Sequence, residues 1–172
     1  MPRRPSSPSK PDLFATVLRV GDRAPNFILP TAGGKPFQLK DRLGKKILVL
    51  YFYPHDFSAN CAREARAFRA HYVAFKNLGA EIFGISRDSQ KSHRDFIRAE
   101  SLPFNLLSDP EGKVHRRYGV EKLLGFLPRR TTFVIDSKGV ILFKYSSLLR
   151  PASHSQKSAL ALKGFVKKKS RK

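Results

Sequence analysis

The alternation of apolar and polar residues predicts a chain of alternating strands and helices. The run "ILVLYFY" at 47–53 has the length and the β-branched or aromatic character of a buried strand. A stripe of residues at spacings of three and four predicts a helix over 60–77, and its members are Cys61, Ala65, Phe68, Tyr72 and Phe75. Cys61 therefore stands at the N-terminal end of the face that this helix buries.

The rest of the pattern completes a sheet. The segments "NFILP" and "KPFQL" flank the turn "TAGGK" and predict a hairpin. Further strands are predicted at 80–86, at "FNLLSD" (104–109), and in a hairpin "TTFVID-SKG-VILFKYS" that turns at 137–139. Further helices are predicted at 89–100, in a short segment after Pro110, and at about 152–164. We expect an α/β layered fold, with parallel strands in the middle of the sheet and an antiparallel hairpin at one edge.

The two ends of the chain differ in composition from this compact unit. The unit covers residues 16–163, and the full length of 172 residues suits one domain. Residues 1–15 are rich in Pro, Ser and basic side chains, which predicts a disordered arm, and residues 164–172 form a basic C-terminal tail. No apolar run approaches the ~18 residues that would span a bilayer. The N-terminus also lacks the apolar core of a secretory signal.

The single cysteine excludes an intramolecular disulfide and a cysteine-based zinc cluster. We therefore expect an intracellular protein, in the cytoplasm first, with the nucleus, nucleoid and plastid as alternatives.

The formal net charge of +21 predicts contact with polyanions. Residues 1–20 carry +3 and residues 151–172 carry +7, which leaves +11 for residues 21–150. Non-specific nucleic-acid contact through the basic termini is one interpretation, and a merely solvated basic surface is the other. The chain has no zinc finger and no RNA-binding signature. An alternative function is thus a basic, weakly active or inactive protein associated with nucleic acid.

The position of Cys61 favours a reactive thiolate. Ser58 and Asn60 are both good N-cap residues, so Cys61 falls in the first turn of its helix. Unpaired backbone N–H groups and the positive end of the helix dipole face that turn. A lone cysteine on an apolar face is, however, more often a small buried hydrophobic residue. Position alone leaves both interpretations open.

The residues around Cys61 resemble a known signature. Pro54, Ser58 and Cys61 match the Pro-x-x-x-Thr/Ser-x-x-Cys pattern of the peroxiredoxins. The segments "GDRAPNFILP", "LGAEIFGIS", "SHRDFIRAESLPFNLLSD" and "LPRRTTFVID" follow the order of the peroxiredoxin Q, or bacterioferritin comigratory protein, subfamily over about residues 18–163. The resemblance implies a thioredoxin-like fold, a central mixed β-sheet flanked by helices on both faces. It also implies an antioxidant, thiol-dependent peroxidase without cofactor or metal.

The resemblance assigns roles to individual residues. Cys61 is the peroxidatic cysteine, Ser58 orients peroxide and thiolate, and Pro54 shapes the pocket and shields it from water. Arg130 matches the arginine that the family brings from a distant strand, whose charge favours the transition state. Backbone N–H groups at Asn60 and Cys61 are expected to complete the anion site.

Several neighbours have weaker assignments. Arg130 is preferred to Arg129 because it is the third residue before Phe133. Arg69 either supports the thiolate or is a solvated helix residue, and Glu64 is interpreted as a charge at the helix N-terminus and nothing more.

The histidines show no metal-ligand cluster. His55 is a candidate for the pocket rim, and the others are expected on the surface: His71, His93, His115 and His154.

Arg66 marks a departure from the subfamily. Many members carry a second, resolving cysteine five residues after the first, and here that position is Arg66. The resemblance therefore implies a one-cysteine cycle whose sulfenic acid is reduced by an external thiol, such as thioredoxin, glutaredoxin or glutathione. Over-oxidation to sulfinic acid is then a hazard. We expect a monomer or weak dimer.

Overall fold

The computed structural model describes residues 17–120 and 130–169. Two short strands, β1 (Ile28–Pro30) and β2 (Pro36–Gln38), form the predicted antiparallel hairpin. The other strands are β3 (Ile47–Phe52), β4 (Ala80–Ser86), β5 (Asn105–Ser108), β6 (Thr131–Ile135) and β7 (Ile141–Ser146). They form one sheet in the order β5-β4-β3-β6-β7. Strands β3, β4 and β5 are parallel, and β6 and β7 are antiparallel at one edge, which confirms the predicted mixed sheet.

The helices are α1 (Ala59–Ala70), α2 (Tyr72–Asn77), α3 (Gln90–Glu100), α4 (Lys113–Arg117) and α5 (Pro151–Lys169). The single helix predicted over 60–77 is wrong, because the chain leaves helical geometry at His71 (φ −94°, ψ 3°). The imidazole Nδ1 of His71 lies 3.0 Å from the carbonyl oxygen of Ala67 and 3.1 Å from Ser155 Oγ on α5. The imidazole and the backbone N–H of His71 therefore both contact the carbonyl oxygen of Ala67, at the end of α1.

Helix α5 extends five residues beyond its predicted end. It runs to Lys169, and the partly buried Val166 packs against the core. Residues 164–169 therefore continue the domain instead of forming a separate tail. The predicted arm at residues 1–15 and the rejected candidate Arg129 lie outside the described residues. No helix within 17–120 and 130–169 is long and apolar enough to cross a bilayer.

The sheet separates two apolar cores, as the pleat of a strand requires. Alternate residues of β3 face opposite ways: Leu48, Leu50 and Phe52 pack with the β1–β2 hairpin and α4, whereas Val49 and Tyr51 pack with α1, α2, α3 and α5. Among the described residues, helices thus lie on both faces, although one face has only α4 and a short 3₁₀ helix at Leu39–Arg42. This arrangement confirms the predicted thioredoxin-like fold.

The sheet brings distant parts of the chain to one place. Strand β3 ends at Phe52 and leads through a loop into α1, whose first turn holds Cys61. In the antiparallel ladder, Phe52 pairs with Thr131 at the start of β6. Arg130 directly precedes Thr131, so it arrives beside the N-terminus of α1.

Candidate active site

Cys61 is a buried thiol in the first turn of α1. Its exposed fraction is 1%, and its backbone N–H donates to Ser58 Oγ over 3.2 Å. Ser58, rather than Asn60, is therefore the N-cap. In this structure Ser58 accepts from the Cys61 N–H, and the expected anion site at the N–H groups of Asn60 and Cys61 stays a prediction. The hydroxyl hydrogen of Ser58 is still able to donate, since a serine oxygen accepts and donates at once.

Arg130 reaches the sulfur from the start of β6. Its Nη2 donates to Cys61 Sγ over 3.2 Å, and the residue is 6% exposed. Burial works to lower the pKa of Arg130, but the neighbouring Glu64 and Cys61 raise it above its ordinary value. The guanidinium therefore stays charged beside the thiol. A fixed positive charge at this distance stabilises negative charge that develops beside the sulfur during a reaction.

Glu64 is a member of the site that sequence reasoning missed. It is fully buried, and its Oε2 accepts from Arg130 Nη1 over 2.7 Å, so its interpretation as a mere helix-terminal charge is wrong. Burial raises the pKa of Glu64 to about 8, against the lowering effect of Arg130. Its spacing of three from Cys61 was the available signal, since i and i+3 share one helix face. Arg130 thus bridges two residues of α1.

His154 connects this site to α5. Its Nε2 lies 3.2 Å from the carbonyl oxygen of Ser147, which can only accept, so Nε2 carries the hydrogen. Its Nδ1 then accepts from Thr132 Oγ1 over 2.8 Å. Burial lowers the pKa of His154 to about 4, so the ring is neutral at neutral pH. Nδ1 lies 3.6 Å from Glu64 Oε1, an oxygen with no hydrogen-bond partner among the described residues.

The surface assignment of three histidines is wrong. His93, His115 and His154 are all buried. His93 and His115 each face a carboxylate: their Nδ1 atoms lie 2.9 Å from Asp56 Oδ2 and 2.7 Å from Asp109 Oδ2. These imidazoles are buried because a hydrogen-bond partner compensates for the lost water. His55 is exposed and His71 is half-buried.

The remaining predicted residues lie around the periphery. Pro54 is half-buried in the loop that follows β3, and Asn60 is exposed on the first turn of α1. Arg69 is also exposed, and its Nη1 donates to the carbonyl oxygen of Glu100 over 2.5 Å. It follows Cys61 by eight residues, or ~12 Å along a helix axis. The structure thus places Arg69 at the end of α3 instead of beside the thiolate.

Arg66 forms an ion pair at the position of the absent resolving cysteine. Its Nε and Nη2 donate to the carboxylate oxygens of Glu100 over 2.6 and 3.1 Å. This bidentate contact joins α1 to the C-terminal end of α3. In residues 17–120 and 130–169, no three His, Cys, Asp or Glu side chains are grouped to hold a metal ion.

The arrangement suits attack by sulfur on a small electrophile. Cys61 supplies a nucleophile, Arg130 supplies a guanidinium at its sulfur, and Ser58 supplies a hydroxyl at the same helix terminus. Fixed donors of this kind stabilise a transition state in which negative charge moves from sulfur to a leaving atom.

Comparison with known proteins identifies the family. The pattern of the AhpC/TSA family matches residues 20–144. Chloroplastic peroxiredoxin Q from Sedum lineare is 42% identical over 154 residues, which cover 88% of this chain and 82% of that protein. Chloroplastic peroxiredoxin Q from Populus jackii is 43% identical over 152 residues, covering 87% of this chain and 70% of that protein.

Similar solved structures belong to the same kind of protein as the sequence relatives. Peroxidoxin BcpB from Mycobacterium tuberculosis superposes with a TM-score of 0.79 at 34% identity, covering 86% of this chain and 97% of that one. Peroxiredoxin Q from Xanthomonas campestris gives a TM-score of 0.76 at 29% identity, covering 81% and 91%. The chain therefore belongs to the AhpC/TSA family, as a thiol-dependent peroxidase of the peroxiredoxin Q type with a single cysteine.

Proposed function

We propose that this protein reduces hydrogen peroxide or organic hydroperoxides by a one-cysteine cycle at Cys61. The observation that supports it most is the 3.2 Å contact between Arg130 Nη2 and the sulfur of Cys61, in a site where both residues are buried. A purely structural cysteine in an apolar core would have no need of a buried guanidinium, because burying that charge is costly.

In the first step, the Cys61 thiolate attacks one peroxide oxygen. The S–O bond forms as the O–O bond breaks, so the sulfur is oxidised to a sulfenic acid and the peroxide is reduced by two electrons. The leaving oxygen takes a proton and departs as water or an alcohol. Arg130 and the Ser58 hydroxyl stabilise the charge that develops on the two oxygens, and Pro54 excludes water from the loop side.

In the second step, an external thiol reduces the sulfenic acid. Its sulfur attacks the sulfur of Cys61, water leaves, and a mixed disulfide forms; a second thiol then releases the reduced enzyme. Thioredoxin, glutaredoxin and glutathione are the candidate donors. The donor must be external because the chain has no other cysteine. Arg66, five residues after Cys61, stands where many subfamily members have the resolving cysteine, and it forms an ion pair with Glu100.

The names of the relatives bear on the compartment. The proteins from Sedum lineare and Populus jackii are named as chloroplastic, which supports the plastid among the compartments considered from the sequence. The expectation of a monomer or weak dimer stays a prediction.

Nucleic-acid association is the second candidate. The exposed side of α5 carries Lys157, Lys163 and Lys168, which adds to the net charge of +21. Duplex DNA labelled with a fluorophore should then bind with an affinity that falls steeply with salt. An unchanged anisotropy at low salt would exclude this candidate and leave the peroxidase proposal intact.

A steady-state assay tests the peroxidase proposal. Peroxide consumption is followed with each of the three thiol donors in parallel, for the unmodified protein and for Cys61→Ser. We expect turnover with at least one donor and none in the variant. Equal consumption by both proteins would contradict the proposal.

A further inference from the structure

A second buried polar cluster lies under the loop between β3 and α1. His93 on α3 is fully buried, and Asp56 in the loop is 8% exposed. His93 Nε2 lies 3.2 Å from the carbonyl oxygen of Leu107 on β5, and Nδ1 lies 2.9 Å from Asp56 Oδ2. The two ring nitrogens of His93 therefore contact β5 on one side and the loop on the other, and the Tyr53 hydroxyl lies 3.5 Å from Nδ1. The imidazole thus joins the loop to α3 and β5.

Asp56 has additional partners from neighbouring elements. The hydroxyl of Tyr53 donates to its Oδ1 over 2.7 Å, and the hydroxyl of Ser92 donates to its Oδ2 over 2.7 Å. The backbone N–H of Asp56 donates to Asp88 Oδ2 over 3.0 Å. One loop residue is therefore tied to the end of β3, to α3 and to the segment after β4. Networks that are fully satisfied and buried in this way hold a conformation rigidly.

Phe57, the residue after Asp56, has a strained backbone that these contacts must hold in place. Phe57 has a φ of 60°, in the left-handed region that residues with a Cβ seldom adopt. Its side chain is 56% exposed, and its ring meets that of Phe96 on α3 at 5.2 Å between centroids. A strained residue persists only when its surroundings over-determine it. Here Asp56 and α3 fix the strained turn from both sides.

The turn leads directly to the nucleophile. Ser58 follows Phe57, and its Oγ accepts from the backbone N–H of Cys61. If Asp56 were released, Phe57 would relax toward an ordinary conformation and move the Ser58 cap. The first turn of α1 would then fray, and Cys61 would lose its fixed position against Arg130.

From these contacts we propose that Asp56 and His93 are positioning residues for the peroxidase reaction, acting as a buried latch that holds the loop of Pro54 and Ser58 against α3. The latch rests on the proposed function of Cys61 and adds two residues that touch neither the thiol nor the peroxide. It works through the Ser58 cap, so its effect is on the geometry of the nucleophile rather than on the chemistry itself.

The test compares two chemically similar buried histidines. His93→Ala breaks the latch, whereas His115→Ala breaks the His115–Asp109 pair on the opposite face of the sheet and serves as the matched control. Asp56→Ala removes the carboxyl, and Asp56→Asn keeps its shape and its ability to hydrogen-bond to the ring of His93. Circular dichroism confirms that each variant is folded at the assay temperature.

Two rates are measured in the same variants: oxidation of Cys61 by hydrogen peroxide and alkylation of Cys61 by iodoacetamide. For His93→Ala and Asp56→Ala we expect peroxide oxidation to slow by about tenfold or more, as for a misplaced catalytic group. Alkylation should accelerate, because fraying of the first turn of α1 exposes the buried sulfur of Cys61. Asp56→Asn and His115→Ala should stay within about threefold of the unmodified protein on both rates. Oxidation at the unmodified rate in His93→Ala, or an equal loss in His115→Ala, would overturn the latch.

Two further outcomes keep the test decisive. If Asp56→Ala does not fold, Tyr53→Phe takes its place, since it removes a single hydrogen bond to Asp56. Its oxidation by peroxide should slow and its alkylation accelerate, both by less than in His93→Ala. Unchanged rates in Tyr53→Phe would also overturn the latch. If the unmodified protein is not oxidised by peroxide, the peroxidase proposal fails. The alkylation rates then judge the latch by themselves: faster alkylation in His93→Ala than in His115→Ala supports it, and equal rates overturn it.

Discussion

Arg130 donates from Nη2 to the sulfur of Cys61 over 3.2 Å, although 69 residues separate them in the chain. The antiparallel pairing of β6 with β3 produces this contact, because it places the start of β6 beside the end of β3. The other nitrogen of the same guanidinium holds Glu64. One rigid, planar side chain therefore fixes the nucleophile and a buried carboxyl together.

Replacing Arg130 should slow the oxidation of Cys61 severely. Arg130→Met removes the positive charge at the sulfur, and we expect a loss of about 10²–10³ in the rate constant, as for other lost transition-state donors. Arg130→Lys keeps the charge but cannot reach Cys61 and Glu64 in the same fork geometry, so an intermediate rate is expected. The rate is measured by competition with a haem peroxidase for limiting hydrogen peroxide. Arg98→Met, which removes an exposed arginine of α3, is the control; an equal loss there would show that overall charge, and not contact, matters.

Glu64 should impose a pH dependence on the reaction. Its pKa of about 8 means that the carboxyl binds a proton below that pH, which leaves the charge of Arg130 to the Cys61 thiolate. Above it, the carboxylate competes for the same guanidinium. We expect the rate of Cys61 oxidation to show a falling limb with its midpoint near pH 8, and Glu64→Gln to lack that limb. Identical pH profiles for the two proteins would contradict this assignment.

The same group should affect stability with a defined sign. Its folded pKa of about 8 exceeds the ordinary value of 4.5, so the folded state binds more protons between these two values. The contribution of Glu64 to the free energy of unfolding is therefore full at low pH and is lost as the pH rises toward about 8. Urea unfolding at several pH values checks this: Glu64→Gln should decline less with rising pH than the unmodified protein, and a steeper decline would contradict it.

Ser58 should have separable structural and chemical roles. Ser58→Ala removes the N-cap of α1 and should cost about 1 kcal/mol of stability, whereas Ser58→Gly, a tolerated cap, should cost only a few tenths. Both lack the hydroxyl, so both should oxidise slowly if the hydroxyl assists the chemistry. Unfolding in urea and oxidation of Cys61 are measured side by side. If the oxidation rate instead follows stability, so that Ser58→Gly oxidises at nearly the normal rate, Ser58 acts only as the N-cap of α1.

Restoring a thiol at position 66 should change the fate of the sulfenic acid. Positions i and i+5 lie ~7.5 Å apart along a helix axis, so a bond between Cys61 and Arg66→Cys requires α1 to unwind locally. The substitution also removes the ion pair to Glu100, which favours that unwinding. We expect an intramolecular disulfide and less sulfinic acid after excess peroxide, read by mass spectrometry. Arg66→Ser controls for the lost ion pair; equal sulfinic acid in both variants would contradict the expectation.

The sequence pattern predicts the strands, the antiparallel hairpin at one edge of the sheet and the helical stripe of Cys61, because these depend on local periodicity and on short connections. It fails at His71, where α1 ends early, since the partner Ser155 lies 84 residues away. It also fails at Glu64, a residue type that is ordinarily charged and solvated but here lies on the buried face of α1. Its burial is tolerated because Arg130 donates to it and because the carboxyl binds a proton below about pH 8, and no local sequence pattern shows either effect.

Under the proposed cycle, Cys61 alone reacts with peroxide and becomes a sulfenic acid. The direct measurement is a single turnover: reduced protein is mixed with one equivalent of hydrogen peroxide, trapped with dimedone, and analysed by peptide mass spectrometry. We expect consumption of the peroxide and a dimedone adduct on Cys61, with neither in Cys61→Ser. Peroxide consumption without an adduct on Cys61, or equal consumption by the variant, would contradict it.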